Sequence, residues 1–202
     1  MARYRGPRLK IVRRLGELPG LTTKVPNRTY GPGEHGQTAK PKKVTQYRVR
    51  LQEKQKLRYN YGITEKQLLA YVRRARRAKG PTGEVLLQTL EMRLDSIVFR
   101  LGFAPTIRAA RQYVSHGLIT LNGQRVNIPS YTCLPGAIIA STATPVVEHR
   151  KRYAPKVPSH LLIEPNKTIA HSTGRVRRVI SRSQIALTVN ELLIIEFYSR
   201  KG

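Results

Sequence analysis

The chain has 202 residues, with 38 Lys and Arg against 11 Asp and Glu, a formal net charge of +27. Its 40% hydrophobic content can build a modest core, which excludes wholesale disorder. No apolar run approaches the roughly 20 residues of a membrane span, and the lone cysteine, Cys133, excludes an internal disulfide and a multi-cysteine zinc site.

So basic a chain calls for a polyanionic partner, with nucleic acid the first candidate and an anionic membrane surface the second. Arginine outnumbers lysine 25 to 13, which favours planar, bidentate contact with phosphate over plain solubilising charge. In chain order, Arg3 to Gly33 is rich in Gly and Pro without a sustained period, and reads as an irregular basic arm. The arm carries Arg3, Arg5, Arg8, Lys10, Arg13 and Arg14, with Tyr4 among them. Tyr47 to Tyr61 is a predicted helix stopped by Gly62. Thr64 with Gln67 is a capping-box signature that opens a second helix to Lys79, ended by Gly80-Pro81. In it Leu68, Val72 and Ala75 share one face, while Arg73, Arg76 and Arg77 form a cationic stripe on another.

Leu90, Leu94, Ile97, Val98 and Leu101 then recur at helical spacing up to Gly102. Pro105-Thr106 opens a further helix through His116, with Gly117 as its stop. There Ile107, Ala110 and Val114 form the buried stripe, opposite a polar face of Arg108, Arg111, Gln112 and Ser115. Asn122-Gly123 between Leu118–Leu121 and Gln124–Ile128 is a hairpin signal. Tyr131–Leu134, Pro135-Gly136 and Ala137–Ser141 read as a further turn and strand. Prolines recur from Thr144 to Pro165, which predicts an extended connection. Asn190 to Arg200 reads as a short helix with Asn190 as its cap. The whole is of the α+β class.

Catalytic chemistry is poorly supplied. Gly31-Pro32-Gly33-Glu34-His35-Gly36 lacks the Gly-Lys-Ser/Thr of a phosphate-binding loop and reads as a flexible loop. The five histidines lack metal-site spacing, the acids are scattered, and Cys133 reads as a core residue rather than a nucleophile. Binding chemistry is abundant: the polar face of the 105–116 helix and the basic arm can donate to phosphate oxygens. Arg and Tyr side chains can stack on exposed bases, which suits structured RNA better than duplex DNA.

Several segments resemble a known family. Met92-Arg-Leu-Asp-Ser-Ile-Val-Phe-Arg-Leu-Gly-Phe103, Arg108-Ala-Ala-Arg-Gln112, Val114-Ser-His-Gly117 and Leu121-Asn-Gly-Gln-Arg-Val-Asn-Ile-Pro-Ser-Tyr131 resemble the S-four-type RNA-binding module. Ala2-Arg-Tyr-Arg-Gly-Pro-Arg8, Pro32-Gly-Glu-His-Gly36, Leu51-Gln-Glu-Lys-Gln-Lys-Leu-Arg58, Tyr61-Gly-Ile-Thr-Glu-Lys-Gln67 and Asn190-Glu-Leu-Leu-Ile-Ile-Glu-Phe-Tyr-Ser199 extend the resemblance to the S-four family of small-subunit ribosomal proteins.

The resemblance implies an arm over 1–45, a helical domain over 46–91 completed by 176–202, and the RNA-binding module with its extended connection over 92–175. It implies a structural, non-enzymatic protein without cofactor or metal. Such a protein binds small-subunit ribosomal RNA at a multi-helix junction of the 5′ domain and nucleates assembly. It would lie where mRNA enters the subunit, beside neighbours of ribosomal families five and twelve, and influence decoding accuracy. The residues expected on RNA are Arg3, Arg5, Arg8, Arg13, Arg14, Lys54, Lys56, Arg58, Arg73, Arg76, Arg77, Arg93, Arg100, Arg108, Arg111, Gln112, Ser115, His116 and Asn122. Lys40, Lys42 and Lys43 are expected to face the mRNA, and Asp95 to tie two helices together. Two departures are visible: the N-terminal zinc cysteines of some relatives are missing, and Thr142 to Pro158 is short and proline-bearing. The opening residues and Pro158-Ser-His-Leu161 are similar to plastid and cyanobacterial versions. They predict a plastid-encoded chain of the chloroplast stroma first, without a transit peptide, and a cyanobacterial cytoplasmic one second.

Overall fold

The structure, a computed structural model, describes residues 4–38, 43–141, 143, 146–149, 157–164 and 172–199. Contacts divide the chain into two units, one formed by 1–86 with 187–202 and the other by 87–186.

The first unit is helical. The arm contains a two-turn helix, α1 (Arg8–Leu15), where an irregular segment is expected. Too short to persist by propensity, it forms because Ile11 and Val12 bury against the rest of the unit. The loop after it is docked rather than loose. Leu18 and Leu21 are buried, and the Gly20 N–H donates to the Asn60 side-chain oxygen at 2.9 Å. α2 (Gln46–Tyr61) ends at Gly62, whose φ of +61° gives the left-handed stop that the sequence implies. α3 (Glu65–Arg77) opens with both arms of the capping box: the Thr64 hydroxyl accepts from the Gln67 N–H, and the Thr64 N–H donates to the Gln67 side chain. Leu68, Val72 and Ala75 bury as one stripe.

α4 (Thr82–Glu91) begins in the first unit and ends in the second. The periodic run 90–101 is not one helix. It breaks at Arg93, which is extended and bridges to Thr132, before α5 (Leu94–Arg100) starts. The break is held by backbone bonds to the 129–133 segment. The Leu94 and Asp95 N–H groups donate to the Tyr131 and Pro129 carbonyls, and the Cys133 N–H donates to Met92. These partners satisfy the orphan donors at the start of α5 and outweigh helical continuity.

α6 (Ile107–Ser115) is capped by Thr106, whose hydroxyl accepts from the Ala109 N–H at 3.2 Å. Five strands follow: β1 (Thr120–Leu121), β2 (Gln124–Arg125), β3 (Ile138–Ser141), β4 (Leu161–Glu164) and β5 (Ser172–Val176). They form one antiparallel sheet in the order β2-β1-β3-β5-β4. The β1–β2 turn has φ of +50° at Asn122 and +82° at Gly123, as the hairpin signal requires. Pairing in the second hairpin strand is confined to 124–125. The expected extended connection instead contains a helical turn over 146–149, and β4 then joins β5 to complete the sheet. Leu94, Ile97 and Val98 of α5 with Leu101 at its C-terminal end, Ala110 and Val114 of α6, and Ile139, Leu161 and Val176 of the sheet form the core. At Gly174 a Cβ would lie 2.5 Å from a Leu101 methyl, so β5 passes flush against α5 only as glycine.

α7 (Glu191–Ser199) returns to the first unit, with the Asn190 side chain accepting from the Leu192 N–H at 3.1 Å as the expected cap. Its side chains meet α2 through an Arg50–Glu196 ion pair, and the Asn190 N–H donates to Glu53.

Candidate nucleic-acid interface

In the second unit the polar side of α6 is organised from beneath by one carboxylate. Asp95 is fully buried and accepts from Arg93 (Nε at 3.0 Å, Nη2 at 2.8 Å) and from Arg111 (Nε at 3.1 Å, Nη2 at 2.7 Å). It thereby ties α5 to α6. A second buried carboxylate, Glu91, holds Arg100 with a fork of two bonds at 3.0 and 2.5 Å.

These pairs engage two of the arginines expected on RNA, Arg93 and Arg100. Arg93 is 3% exposed and spent on Asp95; Arg100 is spent on Glu91, with only 10% of its side chain exposed. A guanidinium forked along one edge onto a buried carboxylate, and itself nearly covered, acts as a structural cation. Arg111 is intermediate, with 18% of its side chain exposed while it pairs with Asp95.

Around them α6 presents Arg108 half-buried and Gln112, Ser115 and His116 exposed. Asn122 lies on the adjoining hairpin, but its side-chain oxygen accepts from the Ile138 N–H at 2.8 Å, so it fixes the turn. Sequence reasoning missed Arg125. This exposed residue of β2 donates to the His116 carbonyl at 2.9 Å, setting its guanidinium against the end of α6. Gly117 makes room for it: φ is +67°, and a Cβ there would lie 1.9 Å from the Arg125 Nε. The signal was the hairpin register, which returns position 125 toward the end of the helix.

In the first unit the α3 stripe is as expected in composition: Arg73, Arg76 and Arg77 are exposed, and Arg74 joins them. No carboxylate among the described residues pairs with them. Arg5, Arg8 and Arg14 are exposed, and Arg3 lies outside the described residues. Arg13 is turned inward: its Nε and Nη2 donate to the Tyr30 and Gly31 carbonyls at 3.0 Å each, and it lies 5.0 Å from the Tyr30 ring. It therefore staples the loop to α1.

Lys54, also expected on RNA, is buried. Its Nζ donates to Glu65 at 3.0 Å and sits 4.6 Å from the Phe197 ring centroid. Lys56 pairs with Glu53 at 2.6 Å, and Arg58 lies 3.8 Å from Glu65 and over the Tyr59 ring. Burial pushes the Glu65 carboxyl up, but hydrogen bonds from Tyr198 and Lys54 outweigh it and hold the group below its ordinary value. Lys43 is exposed; Lys40 and Lys42 lie outside the described residues. Cys133 is a buried core residue, its thiol pushed up to about 12 by burial and by the nearby Asp95 charge.

An α+β chain with one helical unit and one helix–sheet unit, both presenting arginine-rich faces, has the build of an RNA-binding protein, and the comparisons give its class. Residues 3–91 match the family model of the ribosomal protein S4/S9 N-terminal domain, and residues 92–139 match the S4 domain. The chain is 71% identical to the small ribosomal subunit protein uS4c of Ostreococcus tauri. It is 58% identical to uS4 of Nostoc punctiforme and 54% to uS4 of Acaryochloris marina, each match covering all of both chains. The chain belongs to the uS4 family of small ribosomal subunit proteins.

Proposed function

We propose that the chain is a structural, non-catalytic protein that binds small-subunit ribosomal RNA directly, at a multi-helix junction of the 5′ domain, and there nucleates subunit assembly. The observation that carries this reading is the α6 face, where Asp95 holds Arg111 in place from within while Arg108, Gln112, Ser115 and His116 line the surface around it. Such a face contacts phosphate oxygens from a fixed scaffold and so sets register on folded RNA. Arg73, Arg76 and Arg77, with Arg5, Arg8 and Arg14, add sequence-independent counterion release.

The domain reading is an arm over 1–45, a helical domain over 46–91 completed by 176–202, and a module over 92–175. The family resemblance supports a place where mRNA enters the subunit, with Lys43 toward the mRNA, neighbours of families five and twelve, and an influence on accuracy. The higher identity to uS4c than to the Nostoc and Acaryochloris proteins supports a plastid ribosome over a cyanobacterial one.

Reconstitution tests the assembly role. Small-subunit RNA mixed with all other subunit proteins should sediment as an incomplete particle, and adding this chain first should restore the full particle. Equal restoration when the chain is added last would contradict a nucleating role.

A further inference from the structure

Three segments of the second unit converge on Ser159. The approach to β4 carries Ser159 and His160, the residues after β5 are Arg177 and Arg178, and a one-turn 3-10 helix spans Arg182–Gln184. The His160 carbonyl accepts from the Arg177 N–H at 2.8 Å and the Arg178 N–H at 3.4 Å, which pins the two backbones together. Onto the Ser159 hydroxyl oxygen Arg178 Nη2 donates at 3.3 Å and Gln184 Nε2 at 2.7 Å.

A hydroxyl has two acceptor lone pairs and one O–H. With both lone pairs used, the only capacity left at Ser159 is to donate, and no acceptor for it exists among the described residues. Ser159, Arg177 and Arg178 are exposed, and no carboxylate among the described residues pairs with either arginine. The one carboxylate acting on the adjoining His160, Glu91, is already bound by Arg100. The result is one oriented hydroxyl with the Arg178 guanidinium against it on pinned backbone, and the exposed Arg177 is next to Arg178 in sequence.

We propose that Ser159, Arg177 and Arg178 form a phosphate subsite, separate from the α6 face, that takes an RNA backbone phosphate. The assignment rests on the RNA-binding reading above. Ser159 supplies a neutral hydrogen bond, Arg178 a charge-assisted one beside it, and Arg177 further charge. An acidic protein side chain would meet the same donors. The phosphate is favoured because donors from two segments, the Ser159 hydroxyl and the Arg178 guanidinium, suit an anion with several oxygens open to approach.

The test is filter binding of the full chain to its 5′-domain ribosomal RNA across a salt titration, with Ser159→Ala, Arg178→Gln and Arg177→Gln/Arg178→Gln. The expected result is a double variant weaker by about tenfold, its log–log salt slope shallower by about 1 to 2. Ser159→Ala should weaken binding while keeping the wild-type slope, because it removes a neutral donor. Inorganic phosphate at millimolar levels should compete with wild-type binding no better than sulfate does, since the RNA backbone and not the free ion is the ligand. A wild-type chain that prefers this RNA steeply while all three variants match it would overturn the subsite and leave the RNA reading standing. A wild-type chain without preference for this RNA would overturn both. Variants unchanged on RNA but deficient in binding other subunit proteins would replace the phosphate with an acidic protein partner. Arg177→Gln alone should shift the slope by about 1, and far-UV circular dichroism matching the wild type in every variant is the control for folding.

Discussion

Asp95 and Arg111, sixteen residues apart, are joined by two hydrogen bonds at 3.1 and 2.7 Å, with Asp95 fully buried and shared with Arg93. One carboxylate between two guanidiniums makes the network asymmetric. Removing Asp95 strands a buried Arg93, whereas removing Arg111 leaves Asp95 still paired. Asp95→Ala should therefore cost about 3–5 kcal/mol of second-unit stability, and Arg111→Ala clearly less. Native-state hydrogen exchange at Ala110 and Val114 reads both. Equal losses would contradict the asymmetry.

The first unit is closed by α7 through a different network. The Tyr198 hydroxyl donates to Glu65 at 2.7 Å, and Lys54 donates to the same oxygen. Because the folded Glu65 lies below its ordinary 4.5, its contribution is complete above that value and is lost as pH falls through the lowered one. Tyr198→Phe should cost about 1–3 kcal/mol and flatten the acid limb. Denaturant midpoints measured from pH 6 downward check it, and an unchanged acid limb would remove Tyr198 from the account.

His160 is fully buried, and neither ring nitrogen has a hydrogen-bond partner among the described residues. Burial lowers its pKa below 6.5, reinforced by the Arg100 and Arg178 charges and opposed by Glu91. A depressed histidine contributes stability that is complete above the ordinary value and lost as pH falls from there through the folded value. The second unit should accordingly weaken below pH 6.5, and His160→Leu should remove that slope. A slope that persists in the variant would assign it to other groups.

Cys133 is inert by burial, with its thiol near 12. Iodoacetamide at pH 8 should leave the native chain unmodified and alkylate it fully in denaturant. Rapid native labelling would show that the core around Cys133 opens.

The features readable from the sequence are those that one turn of chain decides. Gly62 and Gly117 stop helices, Thr64, Thr106 and Asn190 cap them, and Asn122-Gly123 turns a hairpin, because each acts within four residues of itself. β4 and β5 were not readable, since β5 is fixed by pairing with Ile138–Ser141, more than thirty residues earlier. The same limit applies to the site. Arg93 and Arg100 look like surface cations until Asp95 and Glu91 are seen buried beside them. Arg125 reaches the end of α6 only through the hairpin register. The α3 stripe was readable because a 3.6-residue period separates its faces without outside help.

The most direct test of the central claim compares binding of the full chain to its 5′-domain ribosomal RNA with binding to an unrelated RNA of equal length, across a salt titration. The cognate RNA should be favoured by orders of magnitude at moderate salt, and Arg108→Ala with Gln112→Ala should remove most of the difference while leaving nonspecific binding nearly intact. Equal binding of the two RNAs, fading together as salt rises, would contradict it and reduce the arginine faces to a general affinity for polyanions.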